Sequence, residues 1–429
     1  MIASNHIGWK RFFSFRYLRD KISEKGWEYI LRRITQAIIS LLYIKLYPYV
    51  FMPLFYFSKV RFTNFVFWAV GHMGHDPDIF VKEYFLGLRP KFNAVWLVHH
   101  KPFKIANEHL LSYWSQYITV IRSPLICKFL WPFTQHRKLV YKVVKKRGSS
   151  SSTYAGAADI YRKWGSRPPL LTLSELDRER GWNSLHKLGV PKDAWFVAVH
   201  CREAGYDKSL KNYGRKDYYE SKSQSNADII NHIPAMKTIV EQGGWCIRIG
   251  DPSMKPLPKI EKVIDYVHTK EKSDWMDVFL SASCKFQLAH SGIFSISLAF
   301  GVPNAFVNQS FGTLALWRVD DIAIPKLIFS TKEKRLLTFK EIYDTGIADY
   351  YYKIYFERAN VTVLDNSPED IMDLTLEMLK QEKGEIVYTD KDEELQEKFK
   401  SLMKPHNNGF GGPARIGRDF LRKYEYLLD

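Results

Sequence analysis

Between Trp195 and Asp251 the sequence holds two short apolar runs, each of which ends in charge. WFVAV leads into His200, Cys201, Arg202 and Glu203, and GGWCIRIG carries Arg248 and closes on Asp251. A basic polar loop and a helical stretch separate them, so the segment reads as strand, helix, strand. Strands of this continuous apolar kind are buried on both faces of a parallel sheet. Charged groups at both carboxyl ends then fall on the edge where open α/β sheets seat their ligands. Two arginines there, with Gly205 and Gly250 nearby, suit a phosphate-bearing ligand, because guanidinium groups give bidentate and permanently charged contacts.

A second segment points the same way. In FQLAHSGIFSISLAFGVP, Phe286 to Pro303, a strand ends at His290, Ser291 and Gly292 and a helix of small residues starts at once. Main-chain amides at such a start can receive an anion. The acidic stretch Asp274 to Asp277 lies in the same α/β region. Any one of these features could be a turn or surface decoration, but all fall at strand ends or on the loops beside them. Together they describe a diphosphate site.

The strand and helix rhythm extends over most of the chain. The sequence predicts strands over 62–70, 94–99, 117–121, 195–199, 243–248, 263–267, 286–289 and 305–307. Helices are predicted from 77 or 78 to 88, from 107, within 171–193, over 274–283 and over 294–300. GHMGHDPD, Gly71 to Asp78, reads as the loop after the first strand. KKRGSSSST (145–153) and SRPPL (166–170) mark a linker between two α/β domains. From Asp344 onward the chain reads as helical and charged. No internal repeat appears.

Charge narrows the partners. The net charge is +17, which calls for an acidic one. Residues 1–63 hold eleven Lys or Arg against Asp20, Glu24 and Glu28, interleaved with Trp9, Phe12, Phe13, Phe15 and the apolar stretch Ala37 to Phe57. Lys45, Pro48 and Pro53 interrupt that stretch, so it does not read as a spanning helix. Its position and the lack of a small-residue cleavage site exclude a signal peptide. A basic, aromatic, amphipathic segment of this kind suits an anionic membrane surface, and no nucleic-acid motif is present. The four cysteines, at 127, 201, 246 and 284, have no metal-ligand spacing and read as reduced, buried thiols.

The order HCREAGYDK, SNADIINHIPAMKTIVEQGGWCIRIGDPSMKPLP, KSDWMDVFLSASCKFQLAHSG and AFGVP resembles a bacterial glycosyltransferase family within the two-domain GT-B superfamily. The resemblance runs from about Arg61 to Asp429 and is strongest from Asp193 to Val307. His200 and Arg202 are similar to the nucleotide-contacting His-x-Arg of GT-B fucosyltransferases. Ser291 and Gly292, with Gly301 and Pro303 downstream, look like the Ser-Gly helix start of heptosyltransferases. The fucosyltransferase motif continues with a second arginine, and here Glu203 follows.

The resemblance implies an α/β, GT-B fold of two Rossmann-like domains facing across a cleft. Taken with the basic, aromatic N-terminal segment, it divides the chain into a membrane-associating segment (1–60), an acceptor domain (61–168), a nucleotide-sugar domain (169–385) and C-terminal helices packing back on the N-terminal domain (386–429). It implies transfer of a sugar from a nucleotide-sugar donor to a lipid-linked or cell-surface polysaccharide hydroxyl at the cytosolic membrane face. No cofactor or metal is expected. Arg202 and Arg248 would neutralise the leaving diphosphate, helped by the amides of Ser291 and Gly292. His200 would donate to a phosphate oxygen or hold the loop, His290 would sit at the phosphates, Asp251 at a sugar or ribose hydroxyl, and His268 near the base. The catalytic base would come from the 71–78 stretch, His72 first, then His75 and Asp76, with Asp78 also present there and Glu83 on the helix expected to follow. His99 and His100 are a further pair at a strand end. An epimerase or hydrolase on the same fold, or a non-enzymatic membrane-binding protein, remains as an alternative.

Overall fold

The computed structural model describes residues 27–99, 104–141, 156–203 and 223–429, with positions 30, 33, 37 and 40 left aside. His100, Gly205, residues 1–26, and the linker expected at 145–153 lie outside the described residues. The chain forms two compact units. The first comprises Met1–Asn64, Lys91–Ile105 and Ser115–Lys142, and the second Phe65–Pro90, Ala106–Trp114 and Val143–Asp429.

The first unit is built on a four-stranded parallel sheet of β1 (Val60–Thr63), β2 (Asn93–Leu97), β3 (Thr119–Ile121) and β4 (Val140–Tyr141), in the order β3-β2-β1-β4. Phe62, Val95, Phe133 and Leu139 form its buried centre, and Tyr47, Met52 and Phe55 pack against them from the Tyr47–Phe57 helix. That helix tolerates Pro48 in its first turn and Pro53 inside. A π-helical turn, Leu42–Leu46, precedes it. Such a turn accommodates the amide that Pro48 lacks and the bulk of its ring. Among the described residues no helix is long and apolar enough to cross a membrane.

The second unit holds a seven-stranded parallel sheet. Its strands are β5 (Phe196–Val199), β6 (Trp245–Arg248), β7 (Val263–Ile264), β8 (Gln287–Ala289), β9 (Asn304–Gln309), β10 (Ile322–Pro325) and β14 (Arg415–Ile416). A small antiparallel sheet of β11 (Leu327–Ser330), β12 (Arg335–Leu336) and β13 (Val361–Leu364) follows β10. The large sheet runs β14-β10-β9-β8-β5-β6-β7. Every residue of β5 and β9 is buried, and β5 accordingly reads as an unbroken apolar run, whereas β9 holds its apolar centre AFV between buried Asn304 and Asn308. The expected α/β class with two parallel sheets is thus observed.

Three local expectations are corrected. The first strand ends at Thr63 instead of reaching Val70, and GHMGHDPD is not a loop: a helix runs from Val70 to Phe85 with Pro77 inside it. Tertiary packing overrides the Gly and Pro signals, as the contacts below explain. The region after Asp344 is not wholly helical, since Val361–Leu364 closes the antiparallel sheet. Residues 386–429 belong to the second unit. They supply β14 to the seven-stranded sheet, and Phe420 stacks on Phe339 of the second unit while Phe399 meets that ring edge-on.

Candidate active site

The strand order reverses at β5. From it the sheet grows one way through β6 and β7, and the other way through β8 and β9. The crevice at such a switch point, outside the carboxyl ends, is where open α/β sheets bind ligands. His200 follows β5 and His290 follows β8, so both lie at that crevice. The ladder continues past the strand ends through His200 N–H to the Leu288 carbonyl at 3.0 Å. Beyond it the main-chain N–H of Arg202 donates to Nδ1 of His290 at 3.1 Å, and Gln309 of β9 donates to the His290 carbonyl at 2.7 Å. Because Nδ1 accepts, a neutral His290 carries its proton on Nε2. Burial lowers the pKa of His290 well below the ordinary value and that of His200 to about 3. Both imidazoles are therefore neutral, able to bond a phosphate oxygen but not to neutralise it.

Arg202 is half-exposed at this edge. Its Nε donates to Asn226 Oδ1 at 3.0 Å, and its carbonyl accepts from Ala227 N–H at 2.9 Å. Lys326, almost wholly buried, holds the same strand of chain from below. Its Nζ donates to the carbonyls of Gln224 and Asn226, at 3.1 and 2.6 Å, and to Asp365 at 2.6 Å. Cys201 is buried, and burial raises its thiol far above the ordinary value, which makes it a packing residue, not a nucleophile.

Arg248 does not share this position. It has no exposed surface, and its guanidinium donates to Glu203 at 2.5 Å, to Asp265 at 3.0 Å and to the Lys255 carbonyl at 2.6 Å. Glu203, the residue that departs from the arginine of the resembled motif, is the counter-ion of Arg248. Asp265 also accepts from Leu257 N–H at 2.9 Å and lies 3.7 Å from His268, which is partly exposed. Asp251 turns back on its own loop, accepting from the main-chain N–H and hydroxyl of Ser253 at 2.9 and 2.5 Å. Gly250, at φ +149°, lets that loop close over Met254, whose sulfur a Cβ would meet at 2.6 Å.

Ser291 and Gly292 form a tight turn, with Gly292 at φ +63°, before the short helix Phe294–Ala299. The Val70–Phe85 helix comes down on this turn. A Cβ on Gly71 would sit 3.1 Å from the Gly292 Cα, and one on Gly74 would sit 2.4 Å from Ser295 Oγ. Ser295 Oγ donates to the Val70 carbonyl at 3.0 Å. The two glycines are thus contact residues of a helix, which explains why they look like loop punctuation in the sequence.

This docking brings the candidate bases into the same unit as the strand ends. His72 and Asp76 are one helical turn apart, and Nδ1 of His72 lies 3.2 Å from the Asp76 carboxylate. His75 Nδ1 is 3.7 Å from the other oxygen, but its ring is buried against Trp317 at 4.4 Å between centroids. Burial lowers its pKa. Burial pushes Asp76 upward, yet the bonds and charges of His72 and His75 outweigh it and hold the carboxyl below its ordinary value. Of the three, His72 is the imidazole with an exposed edge. Asp78 faces inward, fully buried, between Lys82 Nζ at 2.5 Å and the Tyr161 hydroxyl at 2.7 Å. Asp76 and Asp78 both lie inside the Val70–Phe85 helix, and their carboxylates have separate partners.

Reading the sequence missed Asn226, Asp265, Gln309 and Lys326. Lys326 left a signal, a single lysine inside the apolar run IAIPKLIFS. A lysine so placed has to be paired.

No protein-family model matches the chain, and no curated protein matches it. Among solved structures, one described as a glycosyl transferase family 9 protein from Veillonella parvula aligns with a TM-score of 0.43 and 10% identity, covering 76% of this chain and 98% of that one.

Proposed function

We propose that the chain is a glycosyltransferase of the GT-B kind that moves a sugar from a nucleotide-sugar donor to the hydroxyl of a lipid-linked or cell-surface polysaccharide acceptor, at the cytosolic face of a membrane. One observation carries this reading. The second unit joins a hydrogen-bonded His72–Asp76 pair to the switch-point edge of the parallel sheet, through the contact of Gly71 with Gly292.

The chemistry follows from that geometry. With Asp76 accepting from Nδ1–H, His72 would take the acceptor's proton on Nε2. The freed oxygen bonds to the anomeric carbon as the bond to the diphosphate breaks, and the diphosphate leaves with the electron pair. Arg202 stabilises its growing charge, with neutral His200 and His290 and the amides of the Ser291–Gly292 turn as hydrogen-bond partners. Arg248 takes no direct part. Bound to Glu203 and Asp265, it fixes the turn that presents Arg202. Asp251 and His268 line the β6 side, where the nucleoside would lie. The basic segment 1–60 would keep the site near a lipid-borne acceptor.

The test is a thermal-shift screen against UDP, GDP, CMP, ADP and dTDP and their sugars, followed by a transfer assay with the donor that stabilises. A nucleotide diphosphate should raise the melting temperature of the native protein and raise it much less in Arg202→Ala. A chain stabilised by none of these nucleotides is not this enzyme.

A further inference from the structure

The stretches that make up the first unit hold nineteen Lys and Arg against three acidic residues, which is sixteen of the chain's seventeen net positive charges. The two stretches 91–105 and 115–142 contain no acidic residue at all. The second unit is close to neutral. The charge asymmetry is therefore a property of the whole first unit, of which the basic N-terminal segment is one part.

The exposed apolar residues of this unit are equally concentrated. Along its first helical stretch Trp27, Leu31, Ile34, Ile38 and Leu42 are exposed at three- and four-residue spacing, and Val50, Leu54 and Phe57 continue them on the Tyr47–Phe57 helix, Phe57 at 81% exposure. A second element, the Pro124–Leu130 helix, lies far away in sequence. Its inner side buries Cys127, while Leu125 (80% exposed), Ile126 and Phe129 face outward beside Lys128. Ser123 caps it, accepting from Ile126 N–H. The two elements adjoin: Phe129 contacts the rings of Tyr47 and Phe51 at 5.3 and 6.1 Å, and the Tyr43 hydroxyl donates to the Lys128 carbonyl. The outward leucine, isoleucine and phenylalanine of both helices thus belong to one surface.

We infer that this surface is a bilayer-docking face with two insertion elements, in which Leu125, Ile126 and Phe129 enter the acyl boundary of an anionic leaflet together with Val50, Leu54 and Phe57. The inference extends the membrane-facing part of the function proposed above from residues 1–60 to the 124–130 helix. Apolar area and basic charge on one face are what interfacial binding requires, the first for insertion and the second for attraction to anionic headgroups. A second copy of the chain fits poorly, because face-to-face pairing would set one strongly basic unit against another. Nucleic acid fits less well, since most of the outward side chains, Leu31, Ile34, Ile38, Leu54, Leu125 and Ile126 among them, are aliphatic and neither stack on bases nor bond to phosphates.

The experiment is flotation of the full chain with vesicles of phosphatidylcholine alone and of phosphatidylcholine with phosphatidylglycerol, in the absence of any nucleotide. The native protein should float with the anionic vesicles and remain below with the neutral ones. Leu125→Glu should lower the partition coefficient about tenfold, whereas Val387→Glu, an equally exposed position in the second unit, should leave it unchanged. Equal partition of Leu125→Glu and the native chain overturns the inference, as does equal loss in both variants. A dimer in sedimentation that Leu125→Glu disperses, without vesicle binding, assigns the face to self-association and also overturns it. So does binding to duplex DNA that competes fully with anionic vesicles. Vesicle binding that follows this pattern in a protein that no nucleotide stabilises would remove the transferase reading and leave the docking face standing.

Discussion

Glu203 and Arg248 are 2.5 Å apart, and the guanidinium of the pair is entirely sealed from solvent. Removing Glu203 leaves the buried guanidinium with Asp265 as its remaining carboxylate partner, so the loss should approach, without exceeding, about 3–5 kcal/mol, the cost of breaking a buried pair. Glu203→Ala should therefore lose stability of that order in urea denaturation. Adding Arg248→Met removes the buried positive charge but also deprives Asp265 of its guanidinium partner, so it should recover only part of the loss. Equal losses in the single and double variants would show that the pair does not hold the turn.

His72 and Asp76 should separate binding from chemistry. His72→Ala is expected to lower kcat by roughly 100- to 10,000-fold, the usual range for a general base, with the nucleotide-induced melting shift kept. Asp76→Asn, which retains the size of the group but weakens its hold on Nδ1–H, should lower kcat less. Full transfer activity in His72→Ala would move the base elsewhere.

Acid stability should report the buried histidines. His232, at the start of the Ile233–Glu241 helix, is wholly buried, and burial lowers its pKa from 6.5 to about 4. Between those two values the unfolded chain binds a proton that the native one does not, so stability rises with pH and falls on acidification. One such group contributes a slope of about 1.4 kcal/mol per pH unit. In His232→Leu that part of the slope should vanish between pH 6.5 and about 4, measured as unfolding free energy against pH. Identical slopes in the two proteins would mean that the folded state accommodates a charged imidazole there.

Gly74→Ala tests the docking of the Val70–Phe85 helix. The added methyl group would meet the Ser295 hydroxyl at 2.4 Å and its main-chain carbonyl at 2.5 Å, and the carbonyl cannot swing away. Overpacking of this kind costs about 1–3 kcal/mol. The same variant should weaken transfer, because the helix carries His72. A Gly74→Ala protein of native stability and activity would show that the helix is not seated on the turn.

The central sheet was readable because buried parallel strands leave uninterrupted apolar runs, and His200, Arg202, His290 and Ser291 follow directly from where those runs stop. The Val70–Phe85 helix was not readable. Gly71, Gly74 and Pro77 carry the local signature of a loop, and what requires small residues there is the close approach of Gly292 and Ser295, more than 200 positions away. The role of Arg248 was hidden for a similar reason. A strand-end arginine looks like a phosphate ligand until Asp265 and Glu203 are seen around it. The β11–β13 sheet was obscured by Lys326, whose charge breaks an apolar run and is satisfied by carbonyls from a different segment.

The chain passes between the two units five times, at 64/65, 90/91, 105/106, 114/115 and 142/143. No single cut can release either of them. A fragment starting near 143 would hold every strand of the seven-stranded sheet and look self-sufficient, yet it would lack the helix that covers Gly292 and Ser295 and the Glu108–Trp114 helix. Its insolubility or inactivity would say nothing about the sheet's own competence. The shortest excision that respects the architecture removes three separate stretches and rejoins the ends, so residues 65–90 and 106–114 have to be carried with the C-terminal half in any dissection of this protein.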